Sequence, residues 1–180
     1  MANQLDARKV GGGAAATAPI AQTMLRHWRD AVPDDRLAHL VTDATRALVR
    51  ALQARLAVHG VSFGHWTFLR ILWEHDGLTQ KQLSDEAGVM EPTTFIAVTA
   101  MEKQGLIERR QLPENRKNVH VHLTPKGRAL KRRLVPLAEE VNAVSVAGIV
   151  GKDVATTRAV LLHMIANLAS DEMMARRGTR

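Results

Sequence analysis

The densest chemistry in this 180-residue sequence is cationic. Between residues 103 and 133 stand ten lysines and arginines (103, 109, 110, 116, 117, 126, 128, 131, 132 and 133) against two acids, Glu108 and Glu114. That local excess of eight is larger than the +7 of the whole chain. Positive charge gathered in this way is the footprint of a polyanion-binding surface, because neutralised phosphates release their condensed counterions. An isolated charge run is more often solvated surface, so what matters is the elements that carry it.

Other chemistries find little support. The chain has no cysteine, which excludes a disulfide framework, a Cys-ligated zinc site and a thiol switch. His120 and His122 lie two apart on a segment patterned as a strand, so they share a face. Without carboxylate or cysteine partners they read as a solvated strand face rather than a metal site. Glu139 and Glu140 are adjacent on a helical pattern and diverge, which argues against an acid–base pair. Gly11-Gly12-Gly13 is not followed by the Lys-Ser/Thr of a phosphate-cradling loop. We expect no catalytic site and no cofactor. No apolar run reaches membrane-span length and the start lacks a signal-peptide pattern, so the expected location is cytoplasmic.

The elements that must position the cations are legible from periodicity. Residues 1–32 read as a flexible arm, with Ile20, Met24 and Trp28 allowing a short helix near 19–30. From Pro33-Asp34-Asp35, capped by an aspartate, a helix runs to about 58 with Leu37, Leu40, Val41, Ala44, Leu48, Ala51 and Leu52 as its apolar stripe. Ser62 starts a second helix, ending near Asp76-Gly77. Thr79 caps a short third helix that stops at Gly88. A fourth runs from about Glu91 to Gln104, with Pro92 in its first turn. Residues 106–110 and 119–123 alternate as two strands around a polar loop at 111–118. Helices over about 125–148 and 152–175 close the chain. The order helix, turn, helix, strand, hairpin, strand is that of a helix-turn-helix with a β-wing, which places one helix in the DNA major groove. The fold expected is mainly α with a small β-wing, over 62–124. Dimerisation helices at about 33–59 and 125–176 complete a single domain over 33–176. Those long helices exceed what so small a DNA reader can bury, and a symmetric homodimer is the economical way to cover them.

Two stretches carry a family resemblance. Gly88-Val89-Met90-Glu91-Pro92-Thr93-Thr94-Phe95-Ile96 through Met101-Glu102-Lys103-Gln104-Gly105-Leu106-Ile107 resembles the turn, recognition helix and exit of the multiple-antibiotic-resistance-regulator (MarR) family. Asn115-Arg116-Lys117-Asn118-Val119-His120-Val121-His122-Leu123-Thr124-Pro125-Lys126-Gly127 is similar to its wing, which normally reads Asp-x-Arg, five residues, Leu-Thr, then Gly three residues on. The resemblance spans about 34–170. Asn115 and Lys117 depart from the wing's Asp and Arg, while Arg116 and Lys117 keep the charge; Phe95-Ile96 stand where Thr-Arg is frequent.

What the resemblance implies is a regulator that binds double-stranded DNA at a palindromic operator. It would act as a repressor released by a small aromatic or phenolic acid, or a related CoA thioester. Thr93, Pro92 and Phe95 are the candidates for base contacts, and Thr79, Gln80 and Lys81 for phosphates at a helix N-terminus. Arg109, Arg110, Asn115, Arg116 and Lys117 are the wing candidates, and Thr94, Ala97, Val98 and Met101 are read as core. Phe95 packs under the wing in the competing reading. The effector would lie near His65 and Trp66, with His39, Arg46 and Arg70 meeting its carboxylate; Trp66 and Trp73 are plain core in the competing reading. The alternative from another class is a winged-helix module that binds protein without responding to a ligand.

Overall fold

A computed structural model describes residues 37–112 and 115–178 together with Gln22 and Leu25; for residues 112, 115–117, 177 and 178 it describes the backbone alone. The expected arm therefore lies outside the described residues except at Gln22 and Leu25, both helical, and Pro33-Asp34-Asp35 lies outside them too. The elements are α1 (Leu37–Ala57), α2 (Phe63–Glu74), β1 (Leu78–Thr79), α3 (Gln80–Ala87), α4 (Glu91–Lys103), β2 (Ile107–Leu112), β3 (Asn115–Leu123), α5 (Pro125–Ser145) and α6 (Gly151–Gly178). They fall into two compact units, one through Val141 and one from Asn142.

In the first unit the helices begin where the sequence supplies caps. Ser62 Oγ accepts the His65 N–H at 3.1 Å, and Gln53 of α1 accepts the Phe63 N–H, joining α1 to the start of α2. Thr79 and Gln82 form a reciprocal capping box on α3. Gly88, at φ +64°, ends α3 in the left-handed conformation that a turn into α4 requires. Leu56, Leu69, Leu72, Leu83, Val98, Met101, Ile107, Val121 and Leu134 fill one core drawn from every element of this unit except the two-residue β1. Only the C-terminal end of the α1 stripe joins it: Leu52 and Leu56 are buried, whereas Leu37, Leu40 and Leu48 are exposed.

The sheet has three strands, not the expected two, in the order β1-β3-β2 and antiparallel throughout. Leu78 pairs with Val121 and Thr79 with His120. A two-residue strand has no period to read, so this one was invisible in the sequence. The hairpin strands also run further than expected. Ile107 pairs with Leu123 at the base, and pairing continues to Gln111 with Val119 before the register shifts. Asn115, Arg116 and Lys117 thus lie on β3 rather than in a long loop: Asn115 pairs with Leu112, and Arg116 and Lys117 fall in the register shift between that pair and the pair of Gln111 with Val119.

The passage from β3 into α5 explains the Leu-Thr-Pro-Lys-Gly sequence. Thr124 Oγ1 lies 2.7 Å from the Gly105 carbonyl and accepts the Gly127 N–H at 3.1 Å, capping α5 while tying it to the end of α4. Lys126 Nζ donates to the Gln104 carbonyl at 2.8 Å, at the negative end of α4. Gly127 is buried, and its carbonyl accepts the Trp73 indole N–H at 3.0 Å.

The second unit contains the end of α5, a turn with Gly148 at φ +79°, and α6. Val160, Leu162, Ile165, Leu168, Met173 and Met174 of α6 are exposed. No helix among the described residues is long and apolar enough to cross a membrane.

Candidate nucleic-acid interface

The geometry of the helix-turn-helix is set by a hydroxyl pair. Ser84 Oγ of α3 and Thr94 Oγ1 of α4 are 2.8 Å apart and both residues are buried; Ser84 Oγ also donates back to the Gln80 carbonyl. With Thr94, Val98 and Met101 in the core and Ala97 partly buried, α4 turns the opposite side outward. Pro92, Thr93, Phe95 and Ile96 are all exposed, Phe95 by 52% and Ile96 by 69%. Phe95 is therefore not a core residue. Its ring lines an open cleft of about 630 Å³ with Gln80, Arg109, Arg110, Gln111 and Val119, between the recognition helix and the wing. Ile96 stood in the sequence beside Phe95, where Thr-Arg is frequent, but not among the candidates for base contacts; its spacing of four from Pro92 places it on the outward side.

At the start of α3 the hydroxyl of Thr79 is engaged in the capping box, donating to Gln82 Oε1 at 2.8 Å. Gln80 is half-buried in the cleft and Lys81 is exposed. The capping box takes the Gln82 N–H at 3.3 Å, and the α-helical ladder leaves the N–H groups of Gln80 and Lys81 without intrahelical partners.

The wing arginines divide by strand parity. Arg109 pairs across from Val121, on the face that packs toward α4, and its guanidinium meets the Glu102 carboxylate, with Nε 3.0 Å from Oε2. The hydrogen bond and charge of Arg109 hold the Glu102 carboxyl below its ordinary range, and Glu102 raises Arg109 in turn. Arg109 thus fastens β2 to α4. Arg110 is on the other face and exposed, paired with Glu108 two residues away. The side chains of Asn115, Arg116 and Lys117 lie outside the described residues.

The wing root is organised by Asp76, whose importance the sequence did not announce. Its Oδ1 accepts the Leu123 N–H at 2.8 Å and the Gly77 N–H at 3.1 Å, and its Oδ2 meets Arg128 of α5 at 2.6 Å. Burial raises its pKa, but the Leu123 N–H, Arg128 and His122 together outweigh that and hold the carboxyl below the usual range. His120 and His122 correct an expectation here: both are partly buried, so their face is not a solvated one. His120 Nδ1 lies 2.8 Å from the Gly77 carbonyl, and His122 covers Gly77 so closely that a Cβ there would sit 2.7 Å from its ring. Among the described residues no group of three or more His, Asp or Glu is arranged to hold a metal.

The basic stretch is partly neutralised from within. Arg109, Arg110, Arg128 and Lys131 carry the carboxylates of Glu102, Glu108, Asp76 and Glu74. Lys103, Arg132 and Arg133 are exposed.

The effector candidates scatter. His39 and Arg46 are exposed on α1, with Arg46 3.2 Å from Asp43, and Arg70 is exposed on α2. His65 is half-buried; burial lowers its pKa, partly offset by the Gln104 side chain, and its Nδ1 has no hydrogen-bond partner among the described residues. Trp66 lies in the core, edge-on to Trp73 with ring centres 5.6 Å apart.

Residues 61–119, from the start of α2 into β3, match the MarR family. The HTH-type transcriptional regulator TtmR of Methylorubrum extorquens is 30% identical over 148 residues, 81% of this chain and 71% of the relative. The chain belongs to the MarR family. The homoprotocatechuate degradative operon repressor of Escherichia coli is 27% identical over 103 residues, 53% of this chain and 70% of that protein. The crystal structure of a probable transcriptional regulator from Pseudomonas aeruginosa matches with a TM-score of 0.65 at 27% identity, over 73% of this chain and 98% of that one. As a MarR-family member the chain is a DNA-binding transcriptional regulator rather than an enzyme.

Proposed function

We propose that this regulator is a homodimeric repressor that leaves a palindromic operator when a small aromatic acid, or a related thioester, binds. The observation that carries the DNA part is the outward side of α4, exposed beside an exposed Arg110 and held at a fixed angle by the Ser84–Thr94 pair. Two such helices in a two-fold dimer, about 34 Å apart, fit successive turns of one duplex face. Exposed leucines on α1 and exposed apolar residues on α6 support the dimer. The repressor role is supported by the likeness to the homoprotocatechuate operon repressor. His65 favours a ligand site on α2, because a buried nitrogen without a partner gains from a donor or acceptor supplied by a ligand. Arg70 of the same helix is exposed and offers charge for a carboxylate; Arg46 already has Asp43, and Trp66 would take part only by leaving its packing on Trp73.

Fluorescence anisotropy with a duplex selected from a randomised pool tests this directly. The dimer is expected to bind one palindromic duplex tightly, and an aromatic acid from a panel to release it. His65→Ala should blunt that release with DNA affinity nearly intact. A protein that binds no duplex, or binds one that no acid or thioester releases, defeats the corresponding half of the proposal.

A further inference from the structure

The first two turns of α4 turn Glu91, Pro92, Thr93, Phe95 and Ile96 to solvent. None of these is an arginine, lysine, asparagine or glutamine, the side chains that make bidentate hydrogen bonds to guanine and adenine edges in the major groove. The first such residue along the helix is Lys103, in its last turn. What this surface offers instead is apolar. Phe95 and Ile96 are exposed by 52% and 69%, the preceding Met90 by 75%, and Pro92 sits one turn before Ile96.

These side chains are not a spill-over from the core, whose places on α4 are filled by Thr94, Val98 and Met101. Nor does Phe95 stand in an apolar pocket. The cleft beside it is lined by Gln80, Gln111, Arg109 and Arg110 as well as Val119, with each arginine paired to a carboxylate, so its walls are mostly polar. An apolar ridge flanked by cations and amides fits a partner that is anionic at its edges and apolar at one place in its groove. Duplex DNA has one such place, the C5-methyl group of thymine in the major groove.

We infer that Phe95 and Ile96 are specificity-determining residues that read thymine methyl groups, so that α4 selects its site by apolar contact, with Glu91 and Thr93 as its polar readers. This rests on the proposal that α4 is the helix that enters the major groove.

The test uses the full chain and the duplex it enriches from a randomised pool. Each thymine of the enriched site is replaced in turn by deoxyuridine, which removes the methyl and keeps the pairing edge, and affinity is read by anisotropy at one salt concentration. Each contacted methyl should be worth about fourfold in affinity, and symmetric replacement in both half-sites about 15-fold. Phe95→Ala or Ile96→Ala should weaken binding to the thymine duplex and lose the response to deoxyuridine at its own position. Phe95→Leu should keep part of that response. Both side chains are exposed, so the variants should keep the wild-type urea midpoint. Wild-type binding that ignores deoxyuridine at every position overturns the inference, as does a response that persists unchanged in both alanine variants. A chain that enriches a site yet ignores its methyl groups keeps the DNA-binding reading and loses this one. A chain that enriches no site loses both.

Discussion

Gly127 shows how one absent atom fixes the seat of α5. A Cβ built there would lie 2.0 Å from the Leu106 carbonyl oxygen, a backbone atom held by the Thr124 N–H at 3.1 Å. Neither side can yield without breaking the Thr124 clamp, so Gly127→Ala is expected to cost about 1–3 kcal/mol or more, read as a fall in the urea midpoint. Gly64 is the control. It sits in the first turn of α2, and a Cβ there meets only Ser62 Oγ at 3.9 Å, so Gly64→Ala should be neutral or stabilising by about 0.5–1 kcal/mol. The same scale decides Trp66. Buried and edge-on to Trp73, it should cost about 3–5 kcal/mol when cut to alanine, by lost contacts and the cavity left behind. A ligand-release assay on Trp66→Ala would therefore report instability first, which makes His65 the cleaner probe.

At the scale of elements, the wing is held at two places, and each gives a prediction. Asp76 ties β3 and α5 to the end of α2. Its folded pKa is depressed, so its contribution is fully present above the unfolded value of 3.8 and is lost as pH falls through the lower folded value. Acid titration of wild-type stability should show a loss concentrated below about pH 4, and Asp76→Asn should flatten that part of the curve while lowering stability at pH 7 by about 1–3 kcal/mol. Glu102 is the second fastening. Glu102→Gln should leave Arg109 without its charge partner, loosen β2 from α4, and weaken DNA binding more than it weakens folding; equal affinity in the variant would make the pair a bystander. How legible these elements were follows from their physics. Long helices and the hairpin announced themselves by period, and Ser62 and Thr79 by capping chemistry. The strand β1 was too short to have a period. The two-residue alternation of Ile107 and Arg109 did contain the news that Arg109 faces inward, but grouping it with Arg110 as one basic patch concealed it. Asp76 was hidden because its partners lie 47 and 52 residues away in sequence, at Leu123 and Arg128.

For the whole molecule, charge and apolar surface point to the same assembly. Were all ten cations of the basic stretch in both protomers to neutralise phosphates, the slope of log affinity against log salt would reach about −18. Four of the ten already carry carboxylates, so we expect about −11 or shallower. A slope near zero would favour the protein-binding alternative. The dimer is tested through α6, where Ile165 and Leu168 are 65% and 67% exposed and one turn apart. Apolar side chains so exposed along one helix are a liability in a monomer and the ordinary material of an obligate interface. Ile165→Glu with Leu168→Glu places two buried like charges in each half of a two-fold interface, four at its centre, and such burial costs more than a packed interface returns. The double variant should sediment as a monomer at concentrations where the wild type is a dimer. The first unit, through Val141, has its own core, so it should keep its helical circular dichroism. Operator affinity should fall by at least about tenfold, since a single recognition helix loses the gain of simultaneous engagement. A double variant that stays dimeric would move the interface off this face of α6. A monomer that binds the palindrome as tightly as the wild type would show that one half-site suffices.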